Sequence, residues 1–323
     1  MKIFSGVLLM ILVAGNAHAY SEQKISFPDK VDGEISLHLW LPDALAAKAN
    51  ARRIPLVVIS HGAGGTSEDH EDTARALADA GFIVAAVLHP GNNYRDNSYV
   101  RLGKNLTSRP RHVSRTIDHM LTTWRAHQQI DPARIGMFGF SAGGFTALVI
   151  GGGKPNLDLT AEHCRAQPNA WECIYLRNNG APNKRAPMPA DAADARVKAI
   201  VIAAPAVGYS FVPNGLAGVN IPVQLWNAQN DSVVDNSAAI VRDLLPRTPE
   251  YQVVANADHF AFLRPCDWKL RSIITVMHWF GTSDICADTQ GFNRQNFHDE
   301  FNRSITQFFA TNLSTTPLSN ASL

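Results

Sequence analysis

Short apolar segments with β-strand character alternate with helical segments along most of this chain. The apolar segments have few polar residues on either face: "IPLVVIS", "FIVAAVL", "RIGMFGF", "VKAIVIA", "PVQL" and "YQVVA". Amphipathic segments such as "EDHEDTARALADAG" and residues 110–130 lie between them. Strands that are apolar on both faces and separated by helices form parallel sheets with helices on both sides. The sequence therefore predicts an α/β fold with a mostly parallel central sheet.

The stretch 151–195 fits this alternation poorly. It is rich in Gly, Pro, Asn and Ala, and it contains two of the cysteines. Such a composition is typical of a loop-rich excursion from a regular fold. We predict that residues 20–323 form a single α/β domain, in which residues 151–195 are a small cap or insert over one edge of the sheet.

The N-terminus has the features of a signal peptide. Lys2 precedes the apolar run "IFSGVLLMILVAG", and Ala17 and Ala19 form an Ala-x-Ala cleavage box. The run is shorter than the roughly 20 apolar residues that a transmembrane helix needs. We predict that residues 1–19 are removed and that the mature chain begins near Tyr20. The protein is then exported, periplasmic or secreted, without a stable membrane span.

The chain contains four cysteines: Cys164, Cys173, Cys266 and Cys286. An even number of cysteines in an exported protein indicates two disulfides, and three pairings of four cysteines exist. We favour Cys164 with Cys173 and Cys266 with Cys286, because each pair would close one short loop. The cysteine spacing matches no zinc signature, so no metal site is predicted.

A Gly-x-Ser-x-Gly pattern lies in "IGMFGFSAGGFTALVI", where Gly139 and Gly143 flank Ser141. The pattern alone is weak, since a serine in an ordinary glycine turn would also produce it. Here it follows a predicted strand and precedes a predicted helix, which is the context of a nucleophile elbow. The helix N-terminus would favour developing negative charge beside the hydroxyl. We interpret Ser141 as a nucleophile.

Two further reactive residues follow predicted strands, at the sheet edge where ligands of parallel sheets bind. Asp231 lies in "WNAQNDSVVD" and His259 lies in "ANADHFAFL". Asp235 is the rival acid, but it opens a predicted helix and is typical of an N-cap. The chain order Ser141, Asp231, His259 is that of nucleophile, acid and base in α/β-hydrolases.

The glycine-rich segment "SHGAGG", residues 60–65, follows the first central strand. A loop at this place can direct a backbone N–H at an oxyanion. We predict that the N–H groups of Ala63 and Ala142 form an oxyanion hole, since Ala142 directly follows the nucleophile. His61 is predicted to brace the loop rather than to act in catalysis.

Several segments together carry a family resemblance: "SHGAGG", "LHPGNN", "RPRHVSRTIDHM", "DPARIGMFGFSAGGFTAL", "NAQNDSVV" and "ADHFAFLRPC". The chain resembles α/β-hydrolases of the dienelactone-hydrolase-like group, close to the exported bacterial type of platelet-activating-factor acetylhydrolases. The resemblance implies the α/β-hydrolase fold, a triad of Ser141, Asp231 and His259, and an oxyanion hole at Ala63 and Ala142. True dienelactone hydrolases use a cysteine nucleophile, and relatives often have His where this chain has Phe140.

The expected function is hydrolysis of carboxylic esters through an acyl-enzyme on Ser141, as in carboxylesterases, acetylhydrolases and lipase-like enzymes. The alternatives are a peptidase or amidase on the same fold, a phospholipase A-type activity, and a non-catalytic binding scaffold. The expected partner is a small-molecule or lipid ester, and no cofactor is needed. The formal net charge of +1 gives no electrostatic reason to expect nucleic acid. The sequence does not indicate an oligomeric state.

Overall fold

The computed structural model describes residues 20–45, 53–182, 185–234, 236–279 and 283–314. The predicted signal peptide, residues 1–19, and the rival acid Asp235 lie outside the described residues. The strands are β1 (Tyr20–Asp29), β2 (Gly33–Pro42), β3 (Ile54–Ser60), β4 (Ile83–Leu88), β5 (Ile130–Phe140), β6 (Val197–Ala203), β7 (Val223–Ala228) and β8 (Glu250–Val254). The helices are α1 (Glu71–Asp79), α2 (Ser98–Arg101), α3 (Arg109–Thr122), α4 (Ala142–Ile150), α5 (Leu159–Ala166), α6 (Trp171–Asn178), α7 (Ser237–Leu244), α8 (Trp268–Trp279) and α9 (Arg294–Asn312).

The strands form one sheet in the order β1-β2-β4-β3-β5-β6-β7-β8. β2 pairs antiparallel with both β1 and β4, whereas the pairs from β4 through β8 are parallel. The predicted mostly parallel sheet is therefore confirmed. Because β3 to β8 run in the same direction, their carboxyl ends lie along one edge of the sheet, and the loops after them can converge.

Helices cover both faces of the sheet, as predicted. On one face α3, α4 and α7 bury apolar side chains such as Val113, Phe145 and Val241. On the other face α1 and α9 bury side chains such as Leu77 and Phe309. Each such burial stabilises the fold by about 1.5–3 kcal/mol, so the sheet is a rigid support for the loops at its edge.

The helices and strands differ from those expected from the sequence in two places. The hairpin of β1 and β2 was not predicted, because β1 is largely exposed and offers no continuous apolar run. The helix expected over residues 110–130 ends earlier, at Thr122. A short 3₁₀ turn, His127–Gln129, then leads into β5, whose first residue is Ile130.

Both favoured disulfides are present. Cys164–Cys173 joins α5 to α6 within the predicted cap, and Cys266–Cys286 bridges the two ends of the segment that contains α8. Two disulfides indicate a protein of a non-cytoplasmic compartment. Among the described residues, no helix combines the length and the apolar character that crossing a membrane would need.

Candidate active site

Ser141 lies on a sharp turn between β5 and α4. Its backbone has φ 53° and ψ −115°, a left-handed conformation that non-glycine residues rarely adopt. Such strain costs about 1–3 kcal/mol and persists only where the surroundings hold it. Here the Ser141 N–H donates to Ala203 O at 2.9 Å, and the Ser141 carbonyl accepts from Ala206 N–H at 3.0 Å. The neighbouring strand β6 and the loop after it thus hold the elbow.

The two glycines of the pattern are required by close packing of the backbone. A Cβ on Gly139 would lie 2.1 Å from Gly143 O, and a Cβ on Gly143 would lie 1.9 Å from Ser60 O. The start of α4 therefore packs directly against both β5 and the end of β3. Because of this packing, the loop that follows Ser60 lies beside Ser141.

His259 and Asp231 contact each other after β8 and β7. His259 Nδ1 lies 2.9 Å from Asp231 Oδ2, and both side chains are buried. The other carboxylate oxygen of Asp231 accepts from the N–H groups of Val233 and Val234, each at 2.9 Å. Burial raises the pKa of Asp231, but the His259 imidazole and these N–H donors outweigh it, so the pKa lies below its ordinary value. Asp231 is therefore a carboxylate at neutral pH.

The position of His259 is fixed from two further sides. Asp258 accepts from the His259 N–H at 2.7 Å and from the N–H and hydroxyl of Ser232. The ring of Phe140 packs against the imidazole with a centroid distance of 4.8 Å. Phe140 thus supplies packing beside the predicted base.

Ser141 and His259 line the same cavity. No hydrogen bond among the described residues joins the Ser141 hydroxyl to His259. Nucleophile-to-base hydrogen bonds are often long without substrate and shorten when it binds. The structure thus shows a His259–Asp231 pair and an elbow serine at one cavity, without a hydrogen bond between Ser141 and His259.

The segments that carry the predicted oxyanion donors adjoin the elbow, since a Cβ on Gly62 would lie 3.6 Å from Ser141 Cβ. Ala63 is in the cavity wall, and Ala142 follows Ser141 as the first residue of α4. The Ala142 N–H has no preceding helical turn to which it could donate. Among the described residues, no backbone acceptor is bonded to the Ala63 N–H.

His61 braces the oxyanion loop. Its Nδ1 lies 2.6 Å from Gly62 O, and its Nε2 accepts from the His89 N–H at 3.2 Å. Burial, with the nearby Arg109 guanidinium, holds the pKa of His61 well below its ordinary value. His61 is therefore neutral, and both ring nitrogens are engaged within the loop.

The cavity has a volume of about 1320 Å³, above the usual range of about 300–1,000 Å³ for small-molecule sites. Much of its wall is apolar. The apolar side chains from α6, α8 and the segments near them are Trp171, Ile174, Phe260, Leu263, Leu270, Ile273, Ile274 and Ile285. Residues of the predicted cap therefore form part of the wall around Ser141.

Sequence analysis did not identify Asp69, a carboxyl group in the cavity wall. Its Oδ2 accepts from the Thr66 N–H at 2.9 Å. Burial raises the pKa of Asp69 to about 7. Nothing in the local sequence distinguishes it from a loop aspartate, because its burial depends on residues far along the chain.

Among the described residues, three potential metal ligands lie together: His163, Glu172 and Cys173. Cys173 is bonded to Cys164, so its sulfur is not a thiolate. His163 Nε2 lies 2.7 Å from Glu172 Oε1, which pairs these side chains with each other. This donor set does not fit a metal ion.

Comparison with known proteins gives one family and a set of similar folds. Residues 42–170 match the model of the dienelactone hydrolase family. Dienelactone hydrolase from Anabaena variabilis has a similar structure, with a TM-score of 0.54, 15% identity, and coverage of 92% of this chain and 100% of that chain. Ferulic acid esterase from Streptomyces cinnamoneus has a TM-score of 0.57, 16% identity, and coverage of 97% and 96%. No curated protein matches the sequence. The chain therefore shares the fold of these two hydrolase structures, and part of it is similar to the dienelactone hydrolase family.

Proposed function

We propose that this protein is a serine hydrolase that cleaves carboxylic esters through an acyl-enzyme on Ser141. One observation carries the proposal: an elbow serine with φ 53° lines the same cavity as His259, whose Nδ1 is bound by Asp231. The match to the dienelactone hydrolase family and the esterase among the structural neighbours support ester hydrolysis.

In the first step the Ser141 hydroxyl oxygen attacks the ester carbonyl carbon. His259 Nε2 accepts the hydroxyl proton, because the Nδ1–H is held by Asp231 and leaves Nε2 as the basic nitrogen. Asp231 remains a carboxylate and stabilises the imidazolium that forms. His259 then gives the proton to the departing alcohol oxygen, and the acyl group stays on Ser141.

The tetrahedral intermediate carries its negative charge on the former carbonyl oxygen. The N–H groups of Ala63 and Ala142 would hold this oxyanion, each contributing on the order of 3 kcal/mol in the transition state. The N-terminus of α4 adds a favourable dipole at the same place. Water then attacks the acyl-enzyme, with His259 again as the base, and releases the carboxylic acid.

The cavity supports a substrate with a large apolar part. Its volume of about 1320 Å³ exceeds what an acetyl ester of a small alcohol would fill. Trp171 and Tyr175 of α6 stack at a centroid distance of 5.1 Å and both line the cavity. An extended acyl chain or an aryl group would bury apolar area against these side chains and those of α8.

We also propose that residues 1–19 are a signal peptide, that residues 20–323 are one domain with a cap at 151–195, and that the protein is periplasmic or secreted. The two disulfides support export. The intact mass of the protein recovered from its host checks the cleavage. A mass beginning at Tyr20 is expected, and a mass beginning at Met1 would contradict it.

The function is tested with p-nitrophenyl esters of increasing acyl length, from two to sixteen carbons, beside the matched p-nitroanilides. We expect faster turnover of the esters, with the optimum above two carbons because of the large apolar wall. Faster turnover of the anilides would favour a peptidase or amidase. A folded protein that turns over neither series and does not react with a fluorophosphonate at Ser141 would contradict catalysis.

A further inference from the structure

Arg109 is the first residue of α3, and its side chain is completely buried. Among the described residues, no carboxylate forms an ion pair with it. Its guanidinium donates instead to neutral oxygens: His61 O at 2.6 Å, Gly62 O at 2.9 Å, and Asn92 Oδ1 at 2.7 and 2.9 Å. Burying a cation without a counter-ion costs free energy. We therefore expect Arg109 to have a role other than packing.

The bond from Arg109 to Gly62 O determines where the next N–H points. In a trans peptide the C=O and the following N–H point in opposite directions, and no described peptide bond is cis. The carbonyl of Gly62 is directed at Arg109 and at His61 Nδ1. The N–H of Ala63 in the same peptide plane therefore points away from Arg109. Ala63 lies in the cavity wall, so an N–H on the side of the peptide opposite Arg109 is placed where it is able to face the site.

The planar guanidinium fixes the Gly62–Ala63 peptide and its surroundings through several hydrogen bonds. Nη1 holds the carbonyl of His61, Nη2 holds the carbonyl of Gly62, and Nε with Nη2 holds the side chain of Asn92. Asn92 belongs to the loop after β4, which gives the guanidinium a support outside the oxyanion loop. A lysine ammonium is a single point charge and cannot reproduce this planar fork.

The charge of Arg109 also acts on the same peptide. Burial lowers the pKa of Arg109 to about 9, so the guanidinium is still charged at neutral pH. A cation bonded to the Gly62 carbonyl polarises that peptide group, and polarisation makes the Ala63 N–H a stronger donor. Among the described residues, no carboxylate acts on Arg109, so no negative charge offsets this polarisation of the Gly62–Ala63 peptide.

We propose that Arg109 is a positioning residue that directs and polarises the Ala63 N–H of the oxyanion hole. The proposal rests on the proposed ester hydrolysis by Ser141. It predicts that loss of the guanidinium weakens binding of the oxyanion while leaving binding of the neutral substrate nearly unchanged. If Arg109 served only the fold, its loss would not weaken binding of the oxyanion selectively over binding of the neutral substrate.

The test compares Arg109→Lys and Arg109→Met with wild type. Arg115→Met is the matched control, since Arg115 lies on the same helix with its side chain 42% exposed. For each protein we would measure kcat and KM for one p-nitrophenyl ester, and the Ki of a trifluoromethyl ketone of the same acyl length. Addition of the Ser141 oxygen to this ketone forms an oxyanion as His259 takes the hydroxyl proton, so its Ki reports on the hole. Thermal unfolding checks the fold of each variant.

We expect kcat to fall about 10- to 10³-fold in Arg109→Met, with KM changed less than about threefold and Ki raised by a similar factor to the loss in kcat/KM. Arg109→Lys should lie between wild type and Arg109→Met, and Arg115→Met should match wild type. Folded Arg109 variants with unchanged Ki would overturn the proposal. Failure of Arg109→Lys to fold would also overturn it, because the residue would then serve the fold. If wild type has no Ser141-dependent turnover, the proposed function fails instead, which is a distinct result.

Discussion

His259 Nδ1 lies 2.9 Å from Asp231 Oδ2, and this contact joins the loop after β8 to the loop after β7. Asp231 is itself held by the N–H groups of Val233 and Val234. The carboxylate thus fixes the orientation and the tautomer of the imidazole before substrate arrives. In the proposed mechanism, a base held in this way would need little reorganisation when Ser141 transfers its proton.

Asp231→Asn is expected to reduce kcat by about 10³- to 10⁴-fold, because an amide can donate to Nδ1 and favour the wrong tautomer. Asp243→Asn is the matched control, since Asp243 is an exposed carboxylate of α7 that pairs with Arg242 and is not bonded to His259. We expect the control to retain kcat within about tenfold. Steady-state kinetics on one ester checks both, and equal losses in the two variants would contradict the assigned acid.

The stability of the fold should depend on pH through buried histidines. Burial holds the pKa of His61 and His89 well below the ordinary 6.5, lowers that of His112, and lowers that of His70 to about 4. Below about pH 6.5 the unfolded chain binds protons at these sites that the folded chain does not. The free energy of unfolding therefore decreases as the pH decreases. Each site contributes about 1.4 kcal/mol per pH unit.

Two carboxyl groups oppose this trend. The pKa values of Asp69 and Glu172 are raised to about 7 by burial, so between about pH 4 and 7 the folded state holds their protons and gains stability as the pH falls. The histidines are more numerous, and we expect a net loss of stability from pH 7 to pH 5. Urea unfolding at several pH values measures it. His70→Leu should flatten the dependence by about 1.4 kcal/mol per pH unit, and an unchanged slope would contradict a neutral His70.

Asp69 should affect the preference for charged substrates. Its carboxyl lines the cavity, and with a pKa of about 7 it becomes negative as the pH rises through neutrality. We expect kcat/KM for an ester that carries a carboxylate, relative to a neutral ester of the same shape, to fall about 3- to 10-fold above pH 7. The ratio cancels any titration that both substrates share. In Asp69→Asn the ratio should not vary with pH. A ratio that still varies with pH in this variant would show that a group other than Asp69 causes the change.

The disulfide around α8 should matter for long substrates. Cys266–Cys286 bridges the segment that contains α8, and three side chains of that helix line the cavity: Leu270, Ile273 and Ile274. A variant with both cysteines replaced by serine should lose about 2–4 kcal/mol of unfolding free energy. We expect KM to rise for the long esters of a chain-length series and to stay near wild type for the two-carbon ester. An equal rise at every length would indicate a general disturbance of the site.

The sequence permitted prediction of the sheet, and of the edge at which the triad candidates lie, for physical reasons. Strands β3 to β7 are buried largely on both faces and appear as continuous apolar runs. Ser141, Asp231 and His259 each follow a strand of this sheet, so their proximity could be predicted from topology. The glycine-rich loop at residues 60–65, the proposed oxyanion loop, could be placed at this edge in the same way, because it follows β3.

The remaining features depend on contacts between distant segments. Strand β1 alternates irregularly and has few buried residues, so it carries no clear strand signal. Arg109 lies 48 positions from its acceptor His61, and its local sequence predicts only an amphipathic helix. The raised pKa of Asp69 arises from burial beneath loops whose packing the sequence pattern does not show.

The most direct test of the account is the turnover of a p-nitrophenyl ester by wild type, Ser141→Ala and Ser67→Ala. Ser67 also lines the cavity, so its variant makes the same chemical change without touching the elbow. We expect Ser141→Ala to stay folded and to lose at least about 10³-fold in kcat/KM, while Ser67→Ala stays within about tenfold of wild type. Wild-type turnover that survives in folded Ser141→Ala would contradict the assignment of Ser141 as the nucleophile.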